Sequence, residues 1–303
     1  MSSLTRRAML GHSGLLAAAA MLPAGRAFAR PLPAPLGLQL WTVKDELKKD
    51  FDGTLRALGK LGYKRIEAAG WYDRTARQFR ESLRAAGLEC TSAHHGLQDL
   101  IDNTDARLAF AREVGARYVV ASSPAPRRPI SGGKDWNVAL AEAMSLADWQ
   151  ANAEAMNRIG ERARAMGLRF GYHNHAAEFV AYERKLPIDE IVRLTDPRNV
   201  VLELDLGWVW GAGYDPAETI RRYAPRVHLL HIKDMTAPSR TPGRIADARS
   251  TVVGEGMIDW KSVFEATRRA PIHSIFVEQE DPFSEPPLQA LEKSAAYLRT
   301  LSA

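Results

Sequence analysis

Histidines and carboxylates crowd into a few short runs of this chain. The runs are Ala93-His94-His95-Gly96, Tyr172-His173-Asn174-His175-Ala176-Ala177-Glu178-Phe179, Leu202-Glu203-Leu204-Asp205-Leu206-Gly207-Trp208, His228-Leu229-Leu230-His231-Ile232-Lys233-Asp234 and Val277-Glu278-Gln279-Glu280. Six of the eight histidines lie in them, and only His12 and His273 do not. Each run closes a β-rich stretch. Imidazoles and carboxylates that meet on one face from several strands make a divalent-metal site. Mixed nitrogen and oxygen ligands suit Mn²⁺, Mg²⁺, Co²⁺, Zn²⁺ or Fe²⁺ alike, so one ion of unspecified identity is expected. A closed structural zinc site is excluded, because it usually needs paired thiolates and Cys90 is the only cysteine. Cys90 has mostly apolar or hydroxylated neighbours and reads as a buried structural thiol.

The elements that must position these groups follow from periodicity. Candidate strands are 36–41, 64–68, 89–94, 118–122, 169–174, 200–205, 227–232 and 274–278. Amphipathic helical stretches lie between them, at 51–61, 75–86, 97–114, 148–166, 187–194, 216–223, 260–269 and 287–301. Gly62, Gly87, Gly115 and Gly167 follow helical runs, where a left-handed C-cap residue is wanted. Eight strand–helix units in about 270 residues predict a single (β/α)8 TIM barrel over residues 30–303. An open doubly wound sheet would usually carry a Gly-x-Gly-x-x-Gly loop after an early strand, and the chain has none. The stretch from Ser123 to Leu146 reads as one long loop on the active-site face, a lid or binding loop. By alternation His228 points away from His231 and is structural. Glu67 and Glu203 read as rim or core salt-bridge residues, and Glu280 as solvated.

With its strands in place, the chain resembles the sugar phosphate isomerase/epimerase superfamily of xylose-isomerase-like barrels. The resemblance rests on Gly37-Leu38-Gln39-Leu40-Trp41, Tyr-His-Asn-His-x-x-Glu-Phe, Leu-Asp-x-Gly-Trp, His-Ile-Lys-Asp and Gly254-Glu255-Gly256-Met257-Ile258-Asp259-Trp260. It implies one metal held by a Glu, an Asp, a His and a second Glu from strands five to eight. Carried over by position these are Glu178, Asp205, His231 and Glu278. Relatives often place the first Glu inside the fifth strand, so His173 and His175 are the alternatives to Glu178. Asp205 has a second reading as the cap of the following turn.

The resemblance implies proton transfer next to a carbonyl, through an enediolate that a divalent ion stabilises. Glu178 and Glu278 are expected as acid and base, and Lys233 as an oxyanion partner. His94, His173 and His175 would bind hydroxyls, and Trp41 and Trp208 would pack on a sugar ring. The expected activity is a metal-dependent sugar isomerase or epimerase. The alternative is a lyase or dehydratase acting on a keto-sugar, an inosose or a 3-keto-glycoside with the same residues. A non-catalytic sugar-binding barrel and a repair enzyme of the endonuclease IV type rank lower.

The first 29 residues read as a secretory signal. Arg6-Arg7 precedes an apolar run to Leu22, and Ala27-Phe28-Ala29 offers a cleavage site. Paired arginines point to the twin-arginine route and a periplasmic or otherwise exported protein. Interruptions at His12, Ser13 and Pro23 leave the run too short for a stable membrane anchor. The full chain carries a net charge of +5. Removing residues 1–29 takes away Arg6, Arg7 and Arg26 and no acid, which leaves +2. Basic charge therefore gives no ground for a nucleic-acid partner. The expected partner is a small sugar or keto-sugar, and association with further copies of the chain is left open.

Overall fold

Each barrel strand pairs in parallel with the next, and the last closes on the first. A computed structural model describes residues 32–237, 241, 243–244 and 249–301. The barrel strands are β1 (Leu36–Gln39), β2 (Arg65–Ala68), β3 (Glu89–His95), β4 (Tyr118–Ala121), β5 (Arg169–His173), β6 (Val200–Asp205), β7 (Val227–Ile232) and β10 (Ser274–Val277). Their order around the closed barrel is β1-β10-β7-β6-β5-β4-β3-β2, all parallel. A short antiparallel ribbon, β8 (Asp234–Met235) with β9 (Ser250–Thr251), stands after β7. This is a (β/α)8 TIM barrel, as the periodicity predicts. The proposed signal, residues 1–29, lies outside the described residues. No helix among the described residues is long and apolar enough to cross a membrane.

The main helices form where apolar residues recur at helical spacing, and they lie at the predicted places. Phe51–Leu61, Leu97–Val114, Pro187–Leu194 and Pro216–Tyr223 match the expected bounds. Asp50 accepts from Gly53 N at the start of the first, and Gly62 ends it at φ 96°, a backbone state glycine tolerates. Three helices were not expected, the first being the short Lys44–Lys49. Trp136–Ala143 interrupts the long 123–146 connection. Asp135 caps it by accepting from Asn137 N and Val138 N, and the Ala- and Leu-rich run favours a helix once the prolines end. Leu206–Gly211 starts directly at β6, capped by Asp205.

Alternation along the strands builds the barrel interior in two parts. Tyr118, Val120, Val201, Leu229 and Phe276 form a small apolar cluster separate from the large core between strands and helices. Polar residues of the same faces continue beyond it toward the strand ends: Gln39, Glu67, His173, Glu203 and His231. His228 departs from the sequence expectation. Leu202 pairs with Val227 and Glu203 with Leu229, so a register shift passes over His228 and breaks the alternation. Its ring turns toward the interior, with Nδ1 3.1 Å from the Tyr118 hydroxyl of a strand three places away. It remains structural.

Candidate active site and metal centre

The inward residues at the strand ends meet as two layers that share two imidazoles. The outer layer contains His173, Asp205, His231 and Glu278, each with a ligand atom within 4.8 Å of the others'. His231 Nδ1 is 2.9 Å from Glu278 Oε2 and 3.7 Å from Asp205 Oδ2. Lys233 Nζ lies 3.1 Å from Asp205 Oδ2, 3.0 Å from Glu278 Oε2 and 2.5 Å from Glu280 Oε1. The inner layer holds the far side of the same rings. His231 Nε2 is 2.6 Å from Glu67 Oε2, and His173 Nδ1 is 3.2 Å from Glu203 Oε2. His94 Nε2 stands 2.6 Å from Glu203 Oε2 and 3.1 Å from Glu67 Oε2. Gln39 Nε2 donates to Glu67 at 2.9 Å. A carboxylate behind an imidazole fixes which ring nitrogen faces forward. Glu67 and Glu203 therefore leave His231 Nδ1 and His173 Nε2 for the outer layer.

Electrostatics follow from this packing. Burial opposes charge on Lys233, but Asp205, Glu278 and Glu280 outweigh it and raise its pKa well above normal. Burial likewise opposes the imidazoliums of His231 and His94, yet their carboxylate neighbours raise both. Glu278 is opposed by burial and pulled well below the usual range by Lys233 and His231. His173 is pushed well below the usual range by burial and then by His231. Five carboxylates (Glu67, Glu203, Asp205, Glu278 and Glu280) thus face one ammonium and two imidazoles that favour protonation. Burial raises Glu203 to about 7 and also raises Glu280, so not all five are ionised together. Glu67 Oε1 and Glu203 Oε1 are buried with no hydrogen-bond partner. This donor set fits a divalent cation, with His173, Asp205, His231 and Glu278 as the residues that would hold it.

Local structure accounts for each position. Asp205 does both things its neighbourhood allows: Oδ1 caps the next helix by accepting from Trp208 N at 2.9 Å, while Oδ2 faces the group. Asn174 clamps it through Asp205 N and O. Gly207 leaves room for Lys233; a Cβ there would sit 2.7 Å from Lys233 Cγ. Asp234 ties together two of the motifs. Its carboxylate accepts from Met235 N, Gly254 N, Gly256 N, Ile258 N and the Trp260 indole N–H. The Gly254–Trp260 run is thus a structural clasp for the segment after β7.

Glu178 is placed differently from the expectation. It lies outside the outer group, and His173, one of the alternatives, stands there instead. The reason is local: three residues of 3-10 helix, Ala177–Phe179, follow the strand and turn Glu178 back beneath it. The Tyr172 hydroxyl donates to Oε1 at 2.5 Å and His175 N donates to Oε2 at 2.9 Å. Fully buried, its carboxyl is raised to about 7. Lys233 is also turned from its expected role, since its ammonium meets three carboxylates and the Trp208 ring, 4.6 Å from the ring centre. Glu280, expected in solvent, is half-buried and bonded to Lys233. Counting positions in steps of two along each strand puts Glu203 beside Asp205 and Glu67 opposite Gln39; that signal could have found the inner layer.

A cavity of about 600 Å³ opens above the group. Its walls include His94, His173, His175, Trp41, Trp208, Glu278 and Glu280. Sequence-expected binding residues are therefore brought together, whereas Glu178 and Lys233 are not among the lining residues. A hollow of similar size, about 610 Å³, lies between Leu97–Val114 and the following long helix (Leu146–Ala165), away from the strand ends. Size does not choose between the two; the convergence of titratable groups does.

Comparison with known proteins bears on this architecture. The model of the xylose isomerase-like TIM barrel family matches residues 55–301. The chain belongs to that family. An inosose dehydratase from Lacticaseibacillus casei is 27% identical over 288 residues, covering 88% of this chain and 94% of its own. One from Geobacillus thermodenitrificans is 25% identical over 300 residues, covering 88% and 95%. Among solved structures, a sugar phosphate isomerase/epimerase from Parabacteroides distasonis aligns with TM-score 0.68 and 24% identity, over 92% of this chain and 96% of that one. The IOLI protein, solved with a zinc atom, aligns with TM-score 0.65 and 16% identity, over 88% and 98%. The named sequence relatives thus favour the dehydratase alternative over the isomerase expectation.

Proposed function

We propose that this barrel is a divalent-metal-dependent dehydratase or lyase that eliminates a hydroxyl or alkoxyl group β to a carbonyl of a cyclic keto-sugar. The observation that carries it is the buried outer group of His173, Asp205, His231 and Glu278 beneath a cavity. When bound there, a divalent ion supplies Lewis acidity for a carbonyl oxygen and so acidifies the adjacent C–H.

The chain's own residues divide the remaining work. Glu280 lines the cavity, sits outside the outer group, and has its pKa raised by burial. It takes the proton from the carbon next to the carbonyl. The electron pair left behind forms the C=C bond as the β C–O bond breaks. His94 also lines the cavity, and against the opposing effect of burial Glu67 and Glu203 raise its pKa, so it returns a proton to the departing oxygen. Lys233 keeps Glu278 and Glu280 in place. His175, lowered to about 3 by burial, stays neutral and gives the cavity an uncharged imidazole wall. Glu178 holds the loop that presents it.

The test is product mass with metal-loaded protein, using inososes and 3-keto-glycosides in deuterated water. Loss of water or of the aglycone is expected, abolished by chelation and by Glu280→Gln. A product isomeric with its substrate, carrying solvent deuterium, would move the assignment to isomerase or epimerase. The N-terminal pattern supports export by the twin-arginine route to the periplasm. Replacing Arg6-Arg7 by Lys-Lys should retain the protein in the cytoplasm; unchanged fractionation would refute that route.

A further inference from the structure

The mouth of the cavity carries features that elimination from a single ring does not require. Trp41 and Trp136 line it and are unusually open for tryptophan, 47% and 39% exposed. Trp41 directly follows β1. Trp136 packs edge-on against His175, which follows β5, with ring centres 4.7 Å apart. β1 and β5 are four places apart in the eight-strand ring, so the two indoles stand on opposite sides of the mouth. Trp136, His175 and Trp208 make a continuous wall, since His175 also lies 5.9 Å from Trp208. Exposed aromatic faces cost hydration unless a ligand covers them, and flat ring faces suit a sugar or aryl ring.

Charge narrows the ligand further. Among the described residues, no arginine or lysine lines this cavity, while Asp99, Asp135, Glu278 and Glu280 do. The nearby ammoniums are already paired, Lys44 beside Trp41 with Asp281 and Lys233 with Asp205, Glu278 and Glu280, so a phosphate would meet carboxylates there first. The volume of about 600 Å³ suits a ligand of drug size rather than one small ring.

We infer that the cavity mouth is a second subsite, between Trp41 and Trp136, for an uncharged ring attached to the reacting sugar. The substrate is then a glycoside, with a second sugar or an aryl group outward, and not a free monosaccharide or a sugar phosphate. This rests on the proposed elimination for the inner ring, but binding can be read without turnover. Under that chemistry the outer ring is either the leaving alkoxyl group or a substituent that stays.

The experiment is calorimetric titration of the full-length protein, with and without Mn²⁺. The probes are free sugar, phenyl glycoside and 6-phosphate in the gluco, galacto and manno series. At least one phenyl glycoside should bind about ten-fold more tightly than its free sugar, from aromatic stacking beyond simple area burial. The 6-phosphates should bind more weakly than the free sugars. Trp136→Ala and Trp41→Ala should each shrink the glycoside preference, and Trp136→Phe should keep most of it. Equal binding of glycoside and free sugar, preference for a phosphate, no binding of any glycoside, or a preference untouched by both alanine variants would overturn the subsite. Failure of the elimination alone looks different: the glycoside preference persists while no product loses mass.

Discussion

Asp205→Asn separates metal binding from folding better than any other change at this site. The amide is nearly isosteric, and its oxygen can still cap Trp208 N, now 2.9 Å from Oδ1. What changes is the charge on Oδ2, which faces Lys233 at 3.1 Å and His231 Nδ1 at 3.7 Å. Lys233 keeps Glu278 and Glu280. One ion pair is lost, but the ammonium retains two carboxylates, so the metal-free protein should move by only about 1 kcal/mol. Metal affinity should respond far more. Outer-shell partners alone are worth about 10–100-fold, and a ligand at least the upper value. At an ion concentration about 100 times the wild-type Kd, binding stabilises the wild type by about 2.7 kcal/mol. A variant bound about 100-fold more weakly gains only about 0.4 kcal/mol under the same conditions. For a chain of this size that is about 5 °C in Tm against about 1 °C. The assay is thermal melting of chelator-treated protein, titrated separately with Mn²⁺, Mg²⁺, Co²⁺, Zn²⁺ and Fe²⁺. Equal metal-induced shifts in wild type and variant, or no wild-type shift with any of the five ions, would refute the ligand assignment.

Three further outcomes follow from the geometry. Burial raises Glu178 to about 7, above its value in the unfolded chain, so the unfolded state loses this proton first and stability falls as pH rises from about 4.5 to 7. Melts across that window should show Glu178→Gln gaining on wild type by up to about 3 kcal/mol and then holding level above pH 7; a pH-independent difference would contradict it. Asp234→Ala removes the acceptor for five N–H donors and should cost about 3 kcal/mol or more, read as a Tm drop of about 6 °C or larger. Gly207→Ala pushes Lys233 from its carboxylates, so the metal-free protein should lose about 1–3 kcal/mol while its metal-induced Tm rise grows, because the competing ammonium is displaced. An unchanged melt with and without metal would show that the ammonium is not held there.

The strands and most helices were legible because they obey short rules. Period-2 apolar runs, glycines at helix ends and N-cap residues are local, and a barrel repeats them eight times. The helix at Trp136–Ala143 was hidden because prolines at 124, 126 and 129 dominate the segment, although Asp135 is a capping residue ahead of an apolar run from Val138 to Ala141. Asp205, His231 and Glu278 were legible as ligand candidates because each sits at or just past the end of a strand and faces inward. Glu178 stands apart from the outer group because sequence spacing does not reveal a single 3-10 turn, and that turn sends the carboxylate under Tyr172 instead of over the barrel.

The inner layer was the hardest to foresee, and the reason is physical. A lone glutamate in a strand is read as costly to bury, so Glu67 and Glu203 look like rim or core ion pairs. Their partners are imidazoles from β3, β5 and β7, contacts that exist only once the barrel closes. Glu67 bonds the rear nitrogen of His231 and Glu203 that of His173. Their cost of burial therefore falls on the same network that aims the two rings at the outer group. Lys233 completes the logic from the other side. By holding Asp205, Glu278 and Glu280 together, it keeps three like charges from driving the strand ends apart. The donor set is thus assembled by the fold itself, unlike a structural zinc site, whose binding energy is its folding energy.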